Sequence, residues 1–193
     1  MKAEQPAKNR ILITAAKLFQ QQGYHATGLN QIVAESGAPK GSLYYYFPGG
    51  KEELAVAAIG LIRDEIEGRL RKFLSTIDDP VEAIRALIGQ MAREFDQPEY
   101  IIHCTVSLLT LEVSLVSEPL RRACMESGEA WERVFAEKLE QSGYDGERAR
   151  KLGVLIQSMI DGAMIASLGK GDIEPLRCVA EQIPLILRGG ACI

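Results

Sequence analysis

Thr27 and Gly28 stand ahead of one helical pattern, and Pro39, Lys40, Gly41 and Ser42 open another that carries Tyr44, Tyr45 and Tyr46, with Lys51 close behind. These residue types suit holding a polyanion better than breaking bonds. Hydroxyls and unpaired backbone N–H groups at a helix N-terminus accept phosphate. Gly41 lets backbone approach a ligand closely, and Lys40 and Lys51 supply counter-charge. Phenols can bond phosphate or pack on thymine methyls, and Asn30, on the preceding helix, adds a polar contact. Bond-breaking chemistry has little to work with. There are two histidines, His25 and His103, and four cysteines with no CxxC pair. The chain has no GxSxG elbow, no phosphate loop and no metal-ligand spacing, so no catalytic, metal or cofactor site is expected.

The elements that must position these side chains read as helices. Pro6 can open the first, whose apolar stripe is Ile11, Ala15, Leu18 and Phe19 and which Gly23 closes. Thr27 serves as N-cap of the second, where Leu29, Ile32 and Val33 face inward and Gly37 ends the helix. Pro39 fits the first turn of the third. Leu43 and Phe47, four apart, share one face and pack inward, which leaves Tyr44 and Tyr45 exposed. Helix, glycine-marked turn and short second helix make a helix-turn-helix, the motif that presents a helix end to a DNA groove.

Pro48-Gly49-Gly50 breaks the pattern before a long helix with the stripe Ala58, Ile62, Ile66, Leu70 and Phe73. Asp79-Pro80-Val81-Glu82 signals another N-terminus: a cap, proline at N1 and a carboxylate at N3. Further helices follow at about 101–116, up to Gly143, at about 147–168, and from a cap at Asp172 to Gly189. Pro184 predicts a kink or local break in the last. No period-2 alternation flanked by hairpin turns occurs, so the fold class is all-α, with about nine helices.

Net charge is −4, yet residues 1–60 hold six Lys/Arg against four Asp/Glu, which leaves an acidic remainder. A mildly basic first unit on an acidic body suits contact with phosphate through that unit alone. No apolar run reads as the ~18 residues of a membrane span, and the polar start lacks a signal-peptide core. A cytoplasmic protein without a membrane partner is expected.

Ser36-Gly37-Ala38-Pro39-Lys40-Gly41-Ser42-Leu43-Tyr44-Tyr45-Tyr46-Phe47, then Lys51-Glu52-Glu53-Leu54, resembles the helix-turn-helix signature of the TetR family of bacterial transcriptional regulators. Tyr46 takes the usual histidine position, and Pro48-Gly49-Gly50 lengthens the loop by one residue. The Phe-Pro-Gly-Gly-Lys-Glu wording looks most like the LmrA/YxaF branch. The resemblance implies a DNA-binding domain at 1–52 and a ligand-binding and dimerisation domain at 53–193. It implies a nucleoid-associated homodimeric repressor, released from a palindromic double-stranded operator by a small hydrophobic effector. DNA contacts then fall on Thr27, Gly28, Asn30, Pro39, Lys40, Gly41, Ser42, Tyr44, Tyr45, Tyr46 and Lys51. An effector pocket draws on Ile62, Met91, Phe95, His103, Leu108, Glu112, Trp131, Phe135, Met159 and Met164, with Asp161 a further polar anchor. A dimer interface on the last two helices draws on Leu152, Leu155, Ile156, Met159, Ile160, Ala163, Ile183 and Leu187. Two other classes compete: an enzyme with an accessory DNA module, and a thiol-based redox regulator using Cys104 or Cys124.

Overall fold

The computed structural model describes residues 6–95 and 100–188, the side chains of 100–105 excepted. Among the described residues there are nine helices and no strand: α1 (Ala7–Ala26), α2 (Leu29–Ser36), α3 (Lys40–Tyr46), α4 (Gly50–Leu74), α5 (Pro80–Arg93), α6 (Tyr100–Val113), α7 (Glu118–Glu140), α8 (Gly146–Lys170) and α9 (Glu174–Arg188). The chain packs as two compact units, one built from residues 1–64 and 105–127, the other from 65–104 and 128–193. Helices α4, α6 and α7 therefore each give residues to both.

In the first unit α1 packs on α2 and α3. Its core is the stripe read from the sequence: Ile11, Leu18, Phe19, Ile32, Leu43 and Phe47 are buried. Each such side chain contributes about 2 kcal/mol on leaving water, enough to fix two helices too short to be stable alone. Gly37 ends α2 at φ 62°, a left-handed conformation that glycine adopts without a Cβ clash.

Gly23 interrupts α1 as the sequence implies: its φ 82°, ψ 173° is non-helical, and one short further turn to Ala26 follows the kink. Two local expectations are corrected here. The extra turn pushes the next helix start along the chain, so Gly28 is the N-cap of α2 in place of Thr27. Pro39 is likewise the N-cap of α3 and lies outside its first turn; its carbonyl accepts the Ser42 N–H at 2.9 Å.

In the second unit α9 packs on both α5 and α8. Asp79 caps α5 as the sequence implies, accepting the Glu82 N–H at 2.9 Å with Pro80 in the first turn. Asp172 lies one residue ahead of the α9 N-cap position, which falls on Ile173, yet its carboxylate still accepts the Glu174 N–H at 3.1 Å. Of the kink or local break expected at Pro184, no break occurs, since α9 is helical through it. The buried Leu176, Ile183 and Leu187 hold both sides of the proline on one apolar face, which offsets the lost backbone hydrogen bond.

Helix α8 corrects the reading that no segment is long and apolar enough to cross a membrane: by length and composition alone, Gly146–Lys170 is. Its burial gives the apolar content another explanation. One face, including Leu152, Ile156, Ile160 and Met164, belongs to the core. Gly153 lets α8 cross α7 closely, for a Cβ built there would lie 2.4 Å from the Glu132 carbonyl oxygen.

Candidate nucleic-acid interface and effector cavity

The helix-turn-helix places its functional side chains by burying their neighbours. With Leu43 at 0% exposure and Phe47 at 3%, the α3 side chains between them turn outward, leaving Tyr44 61% and Tyr45 79% exposed. Lys40 and Gly41 are exposed on the first turn, Ser42 and Tyr46 half-exposed, and Pro39 exposed ahead of them. Tyr46 meets Tyr45 edge to face, ring centroids 5.0 Å apart, which restrains both rings. Gly28 and Asn30 are exposed at the start of α2, where no side chain caps the free N–H groups. The surface is thus a helix N-terminus beside a short helix bearing an ammonium and phenols, a set of donors fit for phosphate oxygens and base edges.

Thr27 does not join it. Its side chain is buried, at 1% exposure, and its hydroxyl donates to the Gly23 carbonyl at 2.7 Å. The extra helical turn after Gly23 puts this residue inside the α1–α2 junction. Lys51 is half-buried, its Nζ 4.3 Å above the Tyr24 ring and 3.4 Å from the His25 carbonyl it donates to. Burial lowers its pKa, and the Glu112 charge works against that shift. Burial also raises the pKa of the Tyr24 phenol, with Glu52 adding to the effect.

The residues expected to form an effector pocket divide. Met91, Trp131, Phe135 and Met164 do converge, with Ile66, Leu70, Gln157, Ile160 and Asp161, on a cavity of about 20 Å³. That space holds about one water. The roomier cavity, about 310 Å³, lies between α4 and α5, over Ile66, Leu70, Phe73, Leu87 and Met91, with Arg69, Lys72, Thr76, Gln90 and Glu94 at its rim. Ile66, Leu70 and Met91 line both spaces. This cleft was not expected from the sequence, although Ile66, Leu70 and Phe73 already stood on the α4 stripe and Met91 among the pocket residues.

The other pocket expectations are corrected. Ile62 and Leu108 belong to the first unit, Ile62 in its core and Leu108 38% exposed. Glu112 is there too, its carboxylate accepting the backbone N–H groups of Tyr24 and His25 at 2.8 and 2.9 Å. Neither Phe95 nor Met159 lines either cavity. The side chains of His103 and Cys104 lie outside the described residues, as does Cys192.

The interface expectation is corrected as well. Leu152, Ile156, Ile160, Ala163, Ile183 and Leu187 are 9% exposed or less in the single chain and form its own core. Leu155 is exposed and Met159 half-exposed. The face of α8 left open carries Val154, Leu155, Ile165 and Leu168, with Leu185 open on α9. Ser158 and Gly162 lie between them and are exposed too. The redox reading loses its footing at Cys124. That thiol is buried and burial pushes its pKa above the ordinary value, so little nucleophilic thiolate forms near neutral pH.

Comparison with known proteins bears on this geometry directly. Residues 11–58 match the family model described as "Bacterial regulatory proteins, tetR family". Residues 80–182 match "Transcriptional regulator LmrA/YxaF-like, C-terminal domain". The chain is 50% identical to the HTH-type transcriptional regulator YxaF of Bacillus subtilis (strain 168), across 94% of this chain and 95% of that protein. It is 42% identical to HTH-type transcriptional regulator LmrA of the same strain, across 94% and 97%. Among solved structures, the reduced form of E. coli NemR superposes with a TM-score of 0.82 at 25% identity, covering 93% of this chain and 97% of that one. A TetR transcriptional regulator from Legionella pneumophila superposes at 0.75 and 24% identity, which bears on the fold alone.

Proposed function

Because the chain belongs to the TetR family of DNA-binding transcriptional regulators, we propose that it acts as a homodimeric repressor that a small apolar effector releases from a palindromic operator. The observation that carries the reading is the outward row of Lys40, Gly41, Tyr44 and Tyr45 on a helix fixed from behind by Leu43 and Phe47. Residues 1–52 supply the DNA contacts, and residues 53–193 supply effector binding and pairing. The site is in the cytoplasm, at the nucleoid.

Pairing uses the open face of α8. Leu155, Ser158, Gly162 and Ile165 recur at helical spacing, and two such faces related by a two-fold axis bury one another's apolar side chains. The small Ser158 and Gly162 permit close approach. A dimer sets two α3 helices about one helical turn apart, so the half-sites of the operator mirror its symmetry.

The effector occupies the cleft between α4 and α5. Its volume, about 310 Å³, and apolar floor suit a small, largely apolar molecule held at the rim by polar groups. A ligand that favours a dimer with mismatched α3 spacing lowers DNA affinity by shifting populations. The test is operator affinity of the combined Tyr45→Ala and Lys51→Ala variant, read by fluorescence anisotropy. A loss of about tenfold or more supports the interface, and unchanged affinity removes it.

A further inference from the structure

The first unit contains a contact that DNA binding by α2 and α3 does not by itself require. Gly23 departs from helical geometry at φ 82°, ψ 173°. The peptides after it turn away from the α1 axis, and the Tyr24 and His25 N–H groups lose their place in the helical ladder. Both point instead at one carboxylate far along the chain: Glu112 Oε2 accepts from Tyr24 at 2.8 Å and Oε1 from His25 at 2.9 Å. Each oxygen thus takes one N–H. A side chain here is disfavoured twice: φ 82° is a conformation L residues rarely adopt, and a Cβ would stand 2.9 Å from Glu112 Oε2 and displace the carboxylate.

The clamped segment leads straight into the interface. Thr27 closes it with a hydroxyl bond to the Gly23 carbonyl at 2.7 Å and an N–H bond to the Tyr24 carbonyl at 3.2 Å. Gly28, the next residue, is the N-cap of α2. Lys51 leans on the same turn through the Tyr24 ring and the His25 carbonyl. A second tie runs beside it, the Ser117 hydroxyl donating to Glu52 at 2.6 Å.

We infer that Glu112 is a positioning residue for operator binding: its carboxylate on α6 fixes the Gly23–Thr27 turn, and through it the start of α2 and the seat of Lys51. The inference rests on the DNA-binding reading above and adds to it a residue that does not touch DNA. Charge alone predicts the opposite sign, which makes the role separable. Removing a carboxylate from a DNA-binding unit strengthens its attraction to phosphate, whereas loss of a positioning bond weakens specific binding.

The test uses the full-length dimer with Glu112→Gln, Gly23→Ala and the double variant. Glutamine keeps the shape but offers one acceptor oxygen and turns an NH2 toward the other N–H. Specific operator affinity should fall by about tenfold in either single variant. The double variant should fall little further, because both changes break one contact. Binding to random-sequence DNA should hold or tighten. Hydrogen exchange at Tyr24 and His25, followed without DNA, should speed up in both. Operator affinity that is unchanged or tighter in Glu112→Gln, where wild type binds specifically, overturns the inference and leaves the regulator reading intact. A wild-type protein with no specific operator refutes that reading instead, and the exchange rates still judge the turn: unchanged rates overturn the inference there too.

Discussion

Replacing Gly153 with alanine tests the packing of the second unit at its tightest point. A new Cβ would stand 2.4 Å from the Glu132 carbonyl oxygen and 3.4 Å from the Ala136 Cβ. The nearer atom is backbone, so no rotamer change relieves the contact, and α7 and α8 must separate or tilt. Overpacking of a well-packed core costs roughly 1–3 kcal/mol, and a rigid neighbour puts this site near the upper end. Alanine returns up to about 1 kcal/mol of helix propensity over glycine. The net is a loss of about 2 kcal/mol, or about 4–8 °C in Tm for a chain of this size. Gly68→Ala is the control: Gly68 also lies within a helix, α4, but a Cβ there meets nothing within 4 Å. That variant should keep or raise Tm. Differential scanning calorimetry of both decides the matter, and a Gly153→Ala protein as stable as wild type refutes the close crossing.

Other outcomes follow from the same structure. If the proposed pairing holds, wild type should be a dimer in multi-angle light scattering and Ile165→Asp on the open face of α8 a folded monomer, because Ile165 is already 37% exposed in the single chain. Lys40→Ala should lower the salt slope of operator binding by about 1 per subunit while weakening all sequences alike. The Glu137 carboxyl is held below its ordinary value of 4.5, first by its hydrogen bond to Arg71. A depressed folded-state pKa stabilises the protein above the unfolded value and loses that contribution as pH falls through the folded one. The Tm gap between wild type and Glu137→Gln should therefore be present at neutral pH and close below about pH 4.5. It should also be small, since both partners are well exposed.

Much of the interface was legible because local rules decide it. Leu43 and Phe47 must face one way at helical spacing, so Tyr44 and Tyr45 must face another. Asp79, Pro80 and Glu82 mark a helix start whatever lies around them. The start of α2 was less legible, since Thr27 and Gly28 can both cap a helix and the kink at Gly23 chose between them. Which face of α8 is left open for the proposed pairing is obscure in the sequence for a different reason. The helix is apolar most of the way round, and periodicity cannot say which side its own core takes. The cleft between α4 and α5 depends on how two stripes fail to meet, which no single stripe records. Glu112 was the least legible, because its partners lie 88 and 87 positions away.

The central claim is specific operator binding by a dimer, and selection from sheared genomic DNA tests it most directly. Purified protein is mixed with fragments from its source organism at about 0.1 M salt, where purely electrostatic binding is already weakened, and the retained DNA is sequenced. The account predicts enrichment of one palindromic motif whose half-sites are about one helical turn apart, and loss of that motif in the combined Tyr45→Ala and Lys51→Ala variant. Retention of DNA with no shared motif would contradict it.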